Sequence, residues 1–120
     1  MTADRPWDSA PVPGNIPSEL GCLDQWVLWR LVQRDGKPTK PPYQVNGKLA
    51  KSTDPRTWTT FHAAMGAYTR GRFTGVGFVL TLDAGIVGVD LDHCRDASTG
   101  AIEPWAQEIV DRLDSYTEIT

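Results

Sequence analysis

Long apolar runs, cysteines and internal repeats are all scarce in this 120-residue chain, and each scarcity removes a class of protein. No apolar stretch approaches the roughly 18 residues needed to cross a bilayer, and the first residues lack the basic and apolar regions of a secretion signal. The expectation is a soluble, cytoplasmic protein. The two cysteines, Cys22 and Cys94, lie far apart in sequence. Outside secreted chains such thiols are more often buried than paired, so neither a disulfide framework nor redox chemistry is indicated. With His62 and His93 they also lack the short Cys-x-x-Cys or His-x-x-x-His spacings of a zinc site. No segment repeats, which argues against a solenoid. A chain of this length holds one modest core.

Charge is present in both signs but unevenly spread. The net charge of −3 conceals a basic middle and an acidic end. Residues 34–56 hold Arg34, Lys37, Lys40, Lys48, Lys51 and Arg56 against Asp35 and Asp54, a local balance of +4. Residues 83–120 hold nine carboxylates against Arg95 and Arg112, a balance of −7. Facing one another across a cleft, such blocks would suit phosphates on one side and a divalent cation on the other.

Residues 1–17 contain Pro6, Pro11, Pro13 and Pro17 with little apolar periodicity, which predicts a flexible leader before an ordered unit at 18–120. Ser18 is placed to cap a short helix over 19–24, and Trp26 to Val32 reads as a central strand. Asp35-Gly36 and Asn46-Gly47 are turn signals; the prolines between 37 and 43 confine that segment to an edge or a loop. Asp54-Pro55 predicts a helix to about Arg70, with Trp58, Phe61, Met65 and Tyr68 on its buried face and His62 beside it as a structural or exposed residue. Val76 to Leu82 and Ile86 to Asp92 read as a hairpin about the turn Asp83-Ala84-Gly85. Beyond a polar turn at 96–100, Pro104 opens a helix with Ala106, Ile109, Val110 and Leu113 on one face, and 116–120 reads as the start of another strand. The elements predict an α+β fold with a mixed or antiparallel sheet and flanking helices.

On a strand over Ile86 to Asp92, Val87, Val89 and Leu91 share one face while Gly88, Asp90 and Asp92 share the other. Two residues along a strand span roughly 6.5–7 Å, close enough for two carboxylates to converge on one or two cations. Gly88 leaves open space beside them. Like charges this close gain most from a bound cation, and hard oxygen ligands suit Mg²⁺ or Mn²⁺. Asp-x-Asp also serves glycosyltransferases, nucleases and calcium loops; what sets this pair apart is the apolar run ahead of it.

The chain resembles the N-terminal primase-polymerase domain of phage and plasmid replication proteins, a branch of the archaeo-eukaryotic primase superfamily. The resemblance covers about residues 18–120. It rests on Trp26-Val27-Leu28-Trp29-Arg30, Gly36-Lys37-Pro38-Thr39-Lys40-Pro41-Pro42-Tyr43, Thr53-Asp54-Pro55-Arg56-Thr57-Trp58, Gly75-Val76-Gly77-Phe78-Val79-Leu80 and Val87-Gly88-Val89-Asp90-Leu91-Asp92, in the family's order. It implies that Asp90 and Asp92 bind the Mg²⁺ or Mn²⁺ ions of nucleotidyl transfer. It also implies that Lys37 and Lys40 contact phosphates of a DNA template or of nucleoside triphosphates, with a fused or separate replicative helicase as a further partner. The family's next elements, a Ser-x-His motif and a third metal-binding aspartate, are expected after Thr120, so the resemblance implies a partial domain that is catalytically incomplete as given. The alternative within the same resemblance is a non-catalytic module that binds nucleic acid or a replication partner.

Overall fold

The aromatic and branched side chains of Trp26-Val27-Leu28-Trp29 favour extended backbone, and they form strand β1 (Trp26–Trp29) in the computed structural model, which describes residues 10–119. The first nine residues of the proline-rich leader and the last residue of the expected final strand lie outside the described residues. Ahead of β1, Pro13–Asn15 makes one 3-10 turn, and a single helical turn α1 (Ser18–Gly21) starts from Pro17 as its N-cap. This turn is shorter than the helix expected over 19–24. The strand expected to continue to Val32 stops at Trp29. There Arg30 donates from Nε to the Arg72 carbonyl at 2.9 Å, and the Leu31 amide bonds the Thr74 hydroxyl at 3.0 Å.

Strands β2 (Val32–Arg34) and β3 (Lys37–Thr39) then form a separate two-stranded ribbon. Asp35 and Gly36 join them with φ of +53° and +74°, the left-handed pair that a two-residue hairpin turn requires. A two-residue strand, β4 (Pro42–Tyr43), follows and lies at a sheet edge, where a proline costs no ladder bond. The Asn46-Gly47 turn is closed by the Gly47 amide on the Gln44 carbonyl at 3.0 Å.

Asp54 does cap a helical start, its carboxylate accepting from the Arg56 amide at 3.1 Å, but the result is one 3-10 turn over Pro55–Thr57. The helix α2 begins only at Phe61 (Phe61–Thr69), capped by the Thr60 hydroxyl on the Ala63 amide. The interruption has a tertiary cause. Thr59 exchanges both backbone bonds with Trp26, at 2.7 and 3.0 Å, which holds residues 58–60 extended. Trp58 therefore lies off the helix, where its indole donates to the Lys51 carbonyl at 2.9 Å.

The chain returns as β5 (Gly75–Phe78), completing an antiparallel sheet in the order β4-β1-β5. Register sets Leu28 opposite Tyr43 and Val76, Val27 opposite Gly77, and Trp29 opposite Pro42 and Gly75. The core lies between this sheet and α2: fully buried Leu28 packs with Ala67 and Phe73, flanked by Tyr43, Tyr68 and Val76. Burying Leu28 alone contributes roughly 1.5–3 kcal/mol. The helix residues buried deepest are Ala64 and Ala67, whose small side chains let α2 lie close to β1; Phe61, Met65 and Tyr68 are half-buried beside them. His62 is exposed. Trp26 packs on Phe61 and Phe78 with ring centroids 4.7 and 5.2 Å apart, and its indole donates to the Leu20 carbonyl at 3.1 Å.

Residues 86–119 form a second unit, distinct from residues 10–85. Its regular element is the helix α3 (Pro104–Leu113), opened by Pro104 and ended by Asp114 in the left-handed region. Ala106 is buried, Ile109 and Val110 are half-buried, and Leu113 is exposed. The polar turn at 96–100 is held by Asp96, whose carboxylate accepts from the amides of Ser98 and Thr99 and from the Ser98 hydroxyl.

Two expected strands are absent here. Residues 86–92 are irregular and make no backbone–backbone hydrogen bond among the described residues, so the returning strand expected there is not formed. Val87 is 85% exposed and Val89 58%. A strand persists only where a neighbour takes its N–H and C=O groups, whatever its side-chain alternation. Residues 116–119 are likewise irregular. The fold is α+β, with an antiparallel sheet packed on a helix in one unit and a helix with loops in the other. Among the described residues, no helix is long and apolar enough to cross a membrane.

Candidate functional site

Asp90 and Asp92 stand on the irregular segment that precedes the Asp96 turn, and both are exposed. Without a strand, alternation no longer forces their carboxylates onto one face. The next residue, His93, turns the backbone into the left-handed region at φ +56°, and the Cys94 thiol donates to the Leu91 carbonyl at 3.3 Å. Cys94 is half-buried; Cys22 is exposed, against the expectation of buried thiols, and both are free. Among the described residues, no three His, Cys, Asp or Glu side chains come together as a metal site. The donor chemistry of the aspartate pair suits Mg²⁺ or Mn²⁺, but two ligands leave most of a six-oxygen shell to water or to phosphate oxygens.

The basic residues have firmer placement. Lys37 lies on β3 and Lys40 just beyond it, both exposed, with Pro38 and Pro41 stiffening the backbone between and after them. Across residues 10–85, nine Lys and Arg stand against five Asp and Glu, a balance of +4. Asp54 is the acid tied most closely into this surface. The Arg56 guanidinium, at 3.1 Å, and the Arg56 amide hold its carboxyl below the ordinary carboxylate value.

Aromatic partners of the cations are the feature that sequence reasoning missed. The Lys40 ammonium lies 4.8 Å from the centroid of the Trp29 ring. The Arg30 guanidinium sits 4.6 Å from the centroid of Tyr43 and 4.7 Å from that of Phe73. Alternation on β1 was the available signal: it puts Trp29 on the face opposite the core residue Leu28, where an indole has no apolar helix to pack on.

Over 102 residues, 84% of the chain, the sequence is 41% identical to a DNA primase-polymerase of Nitratiruptor phage NrS-1. Over that matched part, the chain is similar to a primase-polymerase. The match spans 14% of the relative's length. No protein-family model matches the chain. The α+β architecture is consistent with this similarity.

Proposed function

We propose that this chain is the part of a DNA primase-polymerase that supplies a two-carboxylate metal-binding segment and a basic, phosphate-contacting surface, for template-directed nucleotidyl transfer. The observation that carries the reading is the 41% identity to a primase-polymerase over 84% of the chain. Asp90 and Asp92 are the residues that would hold Mg²⁺ or Mn²⁺. The chemistry such a cation supplies when bound is neutralisation of triphosphate charge and activation of a 3′-hydroxyl for in-line attack. Lys37 and Lys40 offer ammonium groups to phosphates of the DNA template or the nucleoside triphosphate; neither binding nor orientation there needs base-specific contact. A replicative helicase, fused or separate, is the partner this reading calls for.

Calorimetric titration of the chain with MnCl₂, alone and with a nucleoside triphosphate, tests the assignment. Weak binding that the triphosphate strengthens and that Asp90→Ala/Asp92→Ala removes is the expected result. Equal affinity in wild type and variant would take these two residues out of the site.

The exposed, irregular setting of Asp90 and Asp92 favours a second reading, a module that binds nucleic acid without catalysis. In that case single-stranded DNA binding persists unchanged in Asp90→Ala/Asp92→Ala and in the presence of a chelator, and added triphosphate has no effect on metal affinity.

A further inference from the structure

The β4-β1-β5 sheet covers one face with α2 and leaves a groove of about 390 Å³ on the other. Val27 and Gly77 belong to this groove, with Trp29, Lys40, Ser52 and Leu80 around them. Its volume falls in the range of small-ligand sites, and none of its lining side chains is acidic. Both residues of β5 that face this side across from β1 are glycines, Gly75 opposite Trp29 and Gly77 opposite Val27. A Cβ on Gly75 would come within 2.6 Å of the Trp29 indole nitrogen, so the indole lies directly against the strand. Gly77 leaves the neighbouring space without a side chain. The group over the indole ring is the ammonium of exposed Lys40.

We propose that this groove receives one base of single-stranded DNA, stacked on Trp29, while Lys40 moves from the indole to the adjoining phosphate. The proposal deepens the reading of Lys37 and Lys40 as phosphate contacts and rests on it for the identity of the ligand. Charge complementarity favours a nucleic acid over an apolar peptide: residues 10–85 carry a balance of +4, and a lysine stands in the groove wall. Stacking on an aromatic platform flanked by basic side chains is how single strands are held without sequence preference. An exposed cation–π contact is weaker than base stacking on the same ring, so an incoming base can displace the ammonium. The released lysine then has a phosphate within the same nucleotide unit to neutralise.

Fluorescence anisotropy of the full chain with a labelled oligothymidine and with an abasic strand of equal length and charge tests this. The wild type should bind the intact strand about 5- to 150-fold more tightly than the abasic one, the factor that one stacked base contributes. Trp29→Leu should bind both strands equally, and Trp29→Phe should keep most of the preference. Gly77→Val fills the groove and keeps the indole in the chain, its Cβ meeting Val27 Cγ2 at 3.4 Å and Trp29 Cδ1 at 3.9 Å in ordinary contact. Valine suits a strand, so this variant should abolish the preference even if Trp29→Leu fails to fold. Equal binding of intact and abasic strands by the wild type would overturn the proposal. The two readings fail separately. A salt dependence that falls in Lys37→Ala/Lys40→Ala without any base preference leaves the phosphate contacts standing and removes the groove. A base preference with no change in salt dependence does the reverse.

Discussion

Trp29 and Gly75 face one another across β1 and β5 so closely that a Cβ on Gly75 would lie 2.6 Å from the indole nitrogen. That nitrogen donates to the Val76 carbonyl at 3.2 Å, which holds the ring in place. Gly75 is buried, and its neighbour is a rigid two-ring side chain, so an added methyl group has nowhere to go without moving the indole.

Gly75→Ala is therefore expected to destabilise the chain by about 1–3 kcal/mol, read from urea midpoints. Trp29→Val in the same chain should recover part of the loss. Strict additivity of the two changes would show that the Gly75–Trp29 contact is not its cause.

Binding of single-stranded DNA should weaken as salt rises, because neutralised phosphates release counterions. Removing Lys37 and Lys40 together should reduce the slope of log K against log salt by about 1.4, at about 0.7 per phosphate contact on a single strand. An unchanged slope would return this segment to ordinary solvated surface.

Asp90→Ala/Asp92→Ala should leave folding stability within about 0.5 kcal/mol of wild type, since both side chains are exposed and, among the described residues, neither takes part in a hydrogen bond that orders the backbone. A larger loss in a thermal melt would give the pair a structural role in residues 86–119.

The Asp54 carboxyl titrates below its ordinary value of 3.8, chiefly through the Arg56 side chain and then the Arg56 amide. A carboxyl depressed in the folded state stabilises it above the unfolded value. That contribution declines as pH falls below about 4 and is gone once pH passes the folded value. Asp54→Ala should accordingly flatten the acid limb of a stability profile recorded from pH 6 to pH 2, and Arg56→Ala should do so in part. An acid limb identical to wild type in Asp54→Ala would place the acid sensitivity elsewhere.

The 120-residue chain is expected to bind single-stranded DNA without extending a primer in Mn²⁺. Positioning a triphosphate in line with the attacking hydroxyl can supply roughly 7–11 kcal/mol of barrier reduction. Among the described residues, Asp90 and Asp92 gather no third metal-ligating side chain to help achieve it. Metal-dependent extension that disappears in Asp90→Ala would overturn this expectation.

Wherever the chemistry is local, residue order alone announced the structure. Asp35-Gly36 has to turn, because both positions take positive φ and the flanking residues pair only around such a turn. Pro104 has to open a helix, and the prolines at 38, 41 and 42 keep their segment at sheet edges. The two-residue spacing of Asp90 and Asp92 is likewise a property of the sequence, as is the basic charge of residues 34–56. Tertiary partners decided the rest. Asp54-Pro55 is a sound helix start by every local measure, yet Thr59 pairs with Trp26 and delays the helix to Phe61, because two backbone bonds to a central strand outweigh one helical turn. Ile86 to Asp92 alternates as a strand should, but alternation states which face each side chain would take and not whether a neighbouring strand exists to accept the backbone. Which face of β1 is covered belongs to the same class. Leu28 and Trp29 are adjacent apolar residues, and only the packing of α2 made one of them core and left the other lining an open groove beneath a lysine.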